Sequence, residues 1–358
     1  MPVALYRRAI HHWERNLAER DRTRAERPFE WGLEWLGMEG IDGIDGIDGR
    51  QEDPGHAARR HAAQALEASD AYFSYHVPRD FRLAGETLTF TSPLSTPYPE
   101  NNTVWARYLR AGKPRRAVVI LPQWNADPEG HVALGRMLNW FGIAALRLSL
   151  PYHDRRTPAG LERAEYHVSS NIGRTIHACR QAVVDTRACL DWLEGRGYQA
   201  LGILGSSLGS CIALLAAAHD RRLRAAVFNH IATYFADVVW TGISTRHVRR
   251  SLERHVQLQE LRRCWSVISP ASYLGRLEDR GLASLLVWAT HDLSFLPKYS
   301  RQVLAHYRRR RLPHRTLAIP CGHYSLARAP FKYIDAAGMC WFLHRNLRHE
   351  TASNHGPG

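Results

Sequence analysis

Apolar and polar positions change rhythm repeatedly along this chain, and the most regular stretch lies between residues 116 and 349. Short apolar runs at 117–121, 144–148, 201–204, 225–229, 285–289 and 315–319 have the length and composition of strands buried in a parallel sheet. Helical spacing fills intervals at 131–140, 176–196 and 336–347. Such alternation predicts a mostly parallel sheet flanked by helices and joined by right-handed crossovers. The stretch 234–280 breaks the pattern, being too long for a loop and too helical for a strand, with 258–264 its clearest helix. It reads as a small cap inserted between strands.

Before residue 116 the rhythm differs. Leu5, Ile10, Trp13 and Leu17 recur at helical spacing within residues 1–37, predicting one amphipathic helix and a second over 29–36. The basic amphipathic pattern would also suit a membrane surface, but packing on the main domain is the preferred reading. The triplet Ile-Asp-Gly occurs three times over 41–49, with too much glycine for a helix and too few apolar residues for a core, and reads as a flexible linker (about 41–55). A helix over 57–71 and strands over 81–91 and 104–109 follow. The expected organisation is therefore a helical extension with a linker and first strands (1–115), an α/β domain (116–349) with a cap (about 234–282), and a disordered tail (350–358).

Composition changes this picture little. At 358 residues, 45% hydrophobic and 23% charged, the chain is an ordinary globular protein long enough for one full α/β core. Net charge is +14, and all but Lys113, Lys298 and Lys332 of its 48 basic residues are arginine. The arginines are scattered, and no aromatic-basic pattern of a nucleic-acid module accompanies them, so they read as a solvated surface. Six cysteines, Cys179, Cys189, Cys211, Cys264, Cys321 and Cys340, show no metal-ligand spacing and read as free buried thiols. With no secretory signal and no apolar span, the expected location is cytoplasmic.

The chemistry concentrates at 201–218, LGILGSSLGSCIALLAAA. An apolar strand, the pentapeptide Gly205-Ser206-Ser207-Leu208-Gly209 and an Ala/Leu-rich helix form the context of a nucleophile elbow, in which the central serine occupies a strained turn and the flanking glycines let helix and strand pack closely. The nucleophile is then Ser207, not Ser206. A serine nucleophile needs a base to take its proton and a carboxylate to orient that base, in the chain order Ser, Asp, His. Asp292 follows the run 285–289 and His323 follows 315–319, so both sit just past strand ends. The alternative acid is Asp237, while Asp185 and Asp191 precede the nucleophile and fit less well. His291, beside Asp292, would point elsewhere on an extended backbone. The oxyanion hole would use the backbone N–H of Leu208 and one from the loop Pro122-Gln123-Trp124-Asn125, with Trp124 first by position and Gln123 next.

From about residue 116 to 349 the chain resembles an α/β-hydrolase: GSSLG, ATHD (289–292) and CGHYS (321–325) correspond to that superfamily's nucleophile, acid and base motifs, and LPYHDRR (150–156) to its segment after the fourth strand. Pro122-Gln123 stands where the superfamily commonly has His-Gly, so the resemblance does not carry over the second oxyanion donor. The segment 190–210 and the amphipathic N-terminal region also resemble the family of α/β-hydrolase domain-containing protein 18. The resemblance implies a serine hydrolase of carboxylic esters, esterase or lipase-like, with a small-molecule ester or lipid as partner, peripheral membrane contact at most, and no metal or organic cofactor. A serine peptidase, an acyltransferase and a non-catalytic protein on the same scaffold are the alternatives. The stretch 234–280, with Phe235, Trp240 and Trp265 beside Arg246, Arg249 and Arg250, is expected over Ser207 as an acyl pocket with a basic rim.

Overall fold

A computed structural model describes residues 3–21, 24–38, 52–112 and 115–348. The Ile-Asp-Gly triplets and the C-terminal tail lie outside these residues. One sheet of nine strands organises the chain: β1 (Arg82–Ala84), β2 (Thr87–Thr91), β3 (Thr103–Leu109), β4 (Arg116–Leu121), β5 (Ala144–Leu148), β6 (Ala200–Ser206), β7 (Leu223–Asn229), β8 (Ala283–Ala289) and β9 (His314–Ile319). The spatial order is β1-β2-β3-β5-β4-β6-β7-β8-β9. The first three strands run antiparallel, β3 pairs antiparallel with β5, and the rest are parallel.

Among the described residues, twelve helices accompany the sheet. Those before β4 are α1 (Val3–Glu19), α2 (Pro54–Glu67), α3 (Ser69–Tyr72) and α4 (Pro99–Asn102); those between strands are α5 (Val132–Trp140), α6 (Ile172–Gly195) and α7 (Leu208–His219). After β7 come α8 (Phe235–Thr241), α9 (Arg246–Leu252) and α10 (Leu258–Cys264); α11 (Pro297–Arg309) links β8 to β9, and α12 (Phe331–Asn346) closes the chain. Alternation along β4 shows how the layers form. Val118 and Ile120 join a core with Leu138 of α5 and Phe342 and Leu343 of α12, whereas Val119 and Leu121 join the opposite core with α6, α7 and α11. This is the α/β-hydrolase fold. All six cysteines are free and buried, and no helix among the described residues is long and apolar enough to cross a membrane.

Several elements differ from the sequence pattern. The expected helix over 29–36 is only a 3-10 turn, Leu33–Leu36, bounded by Gly32 and Gly37, both left-handed with φ 65° and 73°. Residues just before it pair instead with the start of α6 through the Glu30–Asn171 bridge. The single strand expected over 81–91 is the hairpin β1–β2, turned at Gly85 with φ 58°. The helix expected over 57–71 breaks at Ala68.

The stretch 234–280 also divides in two. Trp265 is not a pocket residue: its side chain is fully buried, its ring meets Phe235 edge-on, and its Nε1–H donates to the Ile172 carbonyl at 3.3 Å. The half from α10 onward packs on α2 and α7 and belongs to the core. The α8–α9 half reaches the loops at the carboxyl ends of the strands. There the Ile243 N–H donates to Leu293 O at 3.0 Å, and the His247 ring stacks parallel to the Trp124 ring at 5.8 Å.

Candidate active site

The turn between β6 and α7 is set by two glycines and one strained serine. A Cβ on Gly205 would overlap the Gly209 carbonyl, and one on Gly209 would overlap the carbonyl of Leu121, so strand, helix and the end of β4 meet at distances only glycine permits. Ser207 between them has φ 55° and ψ −116°, outside the regions an ordinary residue adopts. Its backbone N–H donates to Asn229 O at 2.8 Å, which fixes the turn at the carboxyl end of β6.

Three loops converge on that oxygen. His323, four residues after β9, places Nε2 3.2 Å from Ser207 Oγ. Its Nδ1 lies 3.0 Å from Oδ2 of Asp292, which stands just after β8. Asp292 is held in turn, because its Oδ1 accepts the backbone N–H groups of Ser294 and Phe295, each at 2.7 Å. The Phe295 ring stacks parallel to the His323 ring at 5.5 Å. Ser207, His323 and Asp292 thus form one continuous line of contacts, and Ser207 retains only 8% exposure.

The electrostatics follow from these contacts. Burial alone would raise the Asp292 carboxyl, but the His323 charge and the hydrogen bonds from His230 and His323 outweigh it and hold the pKa well below the usual carboxylate range. For His323, burial would lower the imidazole, yet the charge and hydrogen bond of Asp292, with a further contribution from Glu14, raise it above its ordinary 6.5.

Other acids weighed from the sequence are engaged elsewhere. Asp237, on α8, receives Arg262 Nε at 2.6 Å and Nη2 at 3.0 Å. Asp185 is fully buried against Arg156 at 2.8 Å, and Asp191 receives Arg222 and the Tyr75 hydroxyl. His291 turns away from Asp292, its ring packing against Tyr6 and His11 of α1.

The loop after β4 abuts the first turn of α7, since a Cβ on Gly209 would also come within 2.6 Å of Pro122 O. Trp124 donates its ring N–H to Ala164 O at 2.8 Å. Asn125, left-handed with φ 58°, commits its backbone N–H to His153 Nε2 at 3.0 Å and its Oδ1 to the Ala164 N–H at 2.9 Å. Leu208 opens α7 beside this loop.

Two residues near the site were not anticipated from the sequence. Glu14 of α1 is completely buried and accepts the backbone N–H groups of Tyr324 at 2.9 Å and Ser325 at 2.7 Å, fastening the loop that carries His323. Its signal was an acidic residue on the apolar face of a helix, in line with Ile10 and Leu17. The second is His230, immediately after β7, whose Nδ1 lies 2.8 Å from Asp292 Oδ2. Its position past the end of the strand beside β6 was visible, but nothing in the pattern distinguished it from the other histidines. Among the described residues, His230, Asp292 and His323 are the one grouping of metal-ligating type, its atoms within 4.8 Å of one another and each imidazole within 3.0 Å of Asp292 Oδ2.

Comparison with known proteins agrees with this architecture. The family described as alpha/beta hydrolase domain containing 18 matches residues 131–262, a segment that includes the elbow and ends before Asp292 and His323. No curated protein matches the chain. Among solved structures, the acylaminoacyl peptidase of Pyrococcus horikoshii is similar with a TM-score of 0.57 at 12% identity, over 75% of this chain and 42% of the peptidase. An esterase of Pyrococcus furiosus is similar with a TM-score of 0.51 at 13% identity, over 77% of this chain and 95% of its own. A puromycin-hydrolyzing peptidase of Mycobacterium tuberculosis gives 0.54 at 13% identity, over 74% of this chain and 44% of its own. The chain spans under half the length of the two peptidases. At such identities the likeness is one of fold.

Proposed function

We propose that this protein is a serine hydrolase of carboxylic esters, working through an acyl-enzyme on Ser207. The observation that carries the reading is the unbroken line from Ser207 Oγ through His323 to Asp292, with the serine in a strained elbow. His323 Nε2 takes the proton as Ser207 Oγ attacks the acyl carbon, and the carbonyl oxygen becomes an oxyanion. Backbone N–H groups of Leu208 and of Trp124, or Gln123 next to it, stabilise that oxyanion; Asn125 is spoken for by His153. Collapse expels the alcohol, which receives the proton from His323. Water, deprotonated by His323, then attacks the acyl-enzyme and releases the acid, returning the proton to Ser207. Asp292 holds the imidazole with Nδ1–H facing it and stabilises the imidazolium in both halves. No step calls for a metal or an organic cofactor.

A peptidase is the second reading, favoured by the two peptidase folds among the similar structures. The ester reading is preferred because the likeness takes in 95% of the Pyrococcus furiosus esterase against 42% and 44% of the two peptidases. The test is labelling with a fluorophosphonate probe followed by turnover of acyl esters of increasing length. Wild type should label and hydrolyse esters, and Ser207→Ala should do neither while Ser206→Ala still labels. Labelling that persists in Ser207→Ala would overturn the assignment, and cleavage of peptides in preference to esters would favour the second reading.

A further inference from the structure

Asp292 faces two imidazoles. His230 Nδ1 lies 2.8 Å from the same Oδ2 that His323 Nδ1 approaches at 3.0 Å, and the two rings stand 4.4 Å apart. His230 is buried, and its Nδ1 makes no hydrogen bond of regular geometry, so the 2.8 Å approach to Asp292 Oδ2 is its one close polar contact among the described residues. Two lone pairs at 2.8 Å in a buried site would repel, so the proton must lie on His230 Nδ1, directed at the carboxylate.

The backbone shows that this placement is imposed. His230 has φ 59°, a left-handed conformation uncommon for residues other than glycine, and both its backbone groups are tied: N–H to Val287 O at 2.9 Å, carbonyl to Ser210 Oγ at 2.9 Å. Ser210 also bonds the Ser207 carbonyl at 2.7 Å, so the elbow and the His230 backbone are joined through one hydroxyl. Asp292 therefore accepts three N–H groups in regular geometry, two backbone and the His323 imidazole, and has His230 Nδ1 as a fourth neighbour at 2.8 Å.

We infer that His230 is a positioning residue of the reaction, a second imidazole that fixes Asp292 Oδ2 and draws off part of its charge. This rests on the reading that Asp292 orients His323. A carboxylate whose charge is shared with His230 pulls less strongly on the His323 proton, so His323 releases that proton at lower pH than it would beside Asp292 alone. The groups facing the two imidazoles are Asp292 from the loop after β8, Glu14 from α1, Ser207 from the elbow, and Tyr324 with its partner Arg24. None of these except Asp292 reaches both rings at hydrogen-bond distance among the described residues. His230 itself stays neutral, burial and the neighbouring His323 both lowering its pKa.

The test compares His230→Gly, which removes the donor while accepting the left-handed backbone, with His230→Asn, whose amide N–H occupies nearly the position of Nδ1 and which also tolerates that backbone. In His230→Gly the acid limb of kcat/KM should move up by about half a unit or more and kcat should fall about tenfold or more. His230→Asn should restore both most of the way. A purely structural role would loosen the His323–Asp292 contact and move the limb down. An unchanged or lowered limb in His230→Gly, or His230→Asn no better than His230→Gly, overturns the proposal. Proton NMR of the wild-type protein gives a second arm independent of turnover. Two downfield hydrogen-bonded imidazole N–H signals are expected, one lost in His230→Asn and both displaced in Asp292→Asn. A single signal that survives His230→Asn contradicts the inference. Full activity in Asp292→Asn would instead remove the functional reading, leaving the NMR count to decide on His230 separately.

Discussion

Two buried carboxyls meet the end of β7, Asp292 at His230 and Asp335 at Asn229, and their neighbours drive them in opposite directions. Asp292 is held ionised by imidazoles and backbone donors, whereas Asp335 of α12, facing only the Asn229 amide, has its pKa pushed by burial from 3.8 to about 7. Asn229 Nδ2 donates to Asp335 Oδ2 at 2.8 Å, while Asp335 Oδ1 and Asn229 Oδ1 are both buried without a partner. A protonated Asp335 spares the buried site an uncompensated charge. The folded state keeps that proton to about pH 7 and the unfolded chain loses it near 4, so the folded state binds more protons in between and stability falls as pH rises through that window. Asp335→Asn keeps the site neutral without titrating. It should leave stability unchanged below pH 4 and raise it by about 2–4 kcal/mol at pH 8, read by denaturant unfolding at both pH values. A second prediction concerns the triad. Because His323 is raised above 6.5 and must be neutral to accept a proton, kcat/KM should fall as pH drops, with an acid limb above that value. Asp292→Asn should cut kcat by orders of magnitude with little loss of stability, and Asp237→Asn, which disturbs the Arg262 pair, should leave kcat within a few-fold. Comparable kinetics in Asp292→Asn and collapse in Asp237→Asn would reverse the choice of acid.

At the scale of elements, the helix farthest from the site in sequence is one of its supports. α1 delivers Glu14 to the His323 loop, Tyr6 bonds the Pro320 carbonyl, and Arg24 just beyond bonds the Tyr324 hydroxyl and Ile243 O. Glu14→Ala strands two buried N–H groups, each costing about 1–3 kcal/mol, and removes a charge that raises His323. The expected result is a lower melting temperature, kcat reduced tenfold or more and an acid limb shifted down, with Glu14→Gln intermediate because one acceptor oxygen remains. These elements also show how far the sequence could be read. The parallel strands were legible because burial on both faces leaves uninterrupted apolar runs, and the elbow because its glycines answer a steric demand at fixed positions. The 3-10 turn at 33–36 was not legible, since the apolar spacing of Phe29, Leu33 and Leu36 is helical and only pairing of Glu30 with the start of α6 overrides it. Glu14 and His230 act through contacts more than 60 positions distant in sequence, and no local pattern records such partners.

Across the whole molecule, the sheet brings together the ends of β6, β8 and β9 on one rim, and the α8–α9 segment covers the same rim from above the Trp124 and Leu293 loops. A site assembled from strand ends is rigid at its base and variable where substrate enters, which is why the fold places Ser207, His323 and Asp292 together and leaves the substrate open. Some of the arginines serve the fold itself, held in buried pairs such as Arg156–Asp185 and Arg147–Asp154. Central to the proposed reaction is a covalent acyl intermediate on Ser207. The most direct measurement is rapid mixing with an activated acyl ester, quenching, and intact-protein mass followed by peptide mapping. The account predicts a burst of about one equivalent of released alcohol per protein and an acyl adduct on the peptide containing Ser207, absent in Ser207→Ala. Turnover without a burst, or an adduct mapped to another residue, would contradict it.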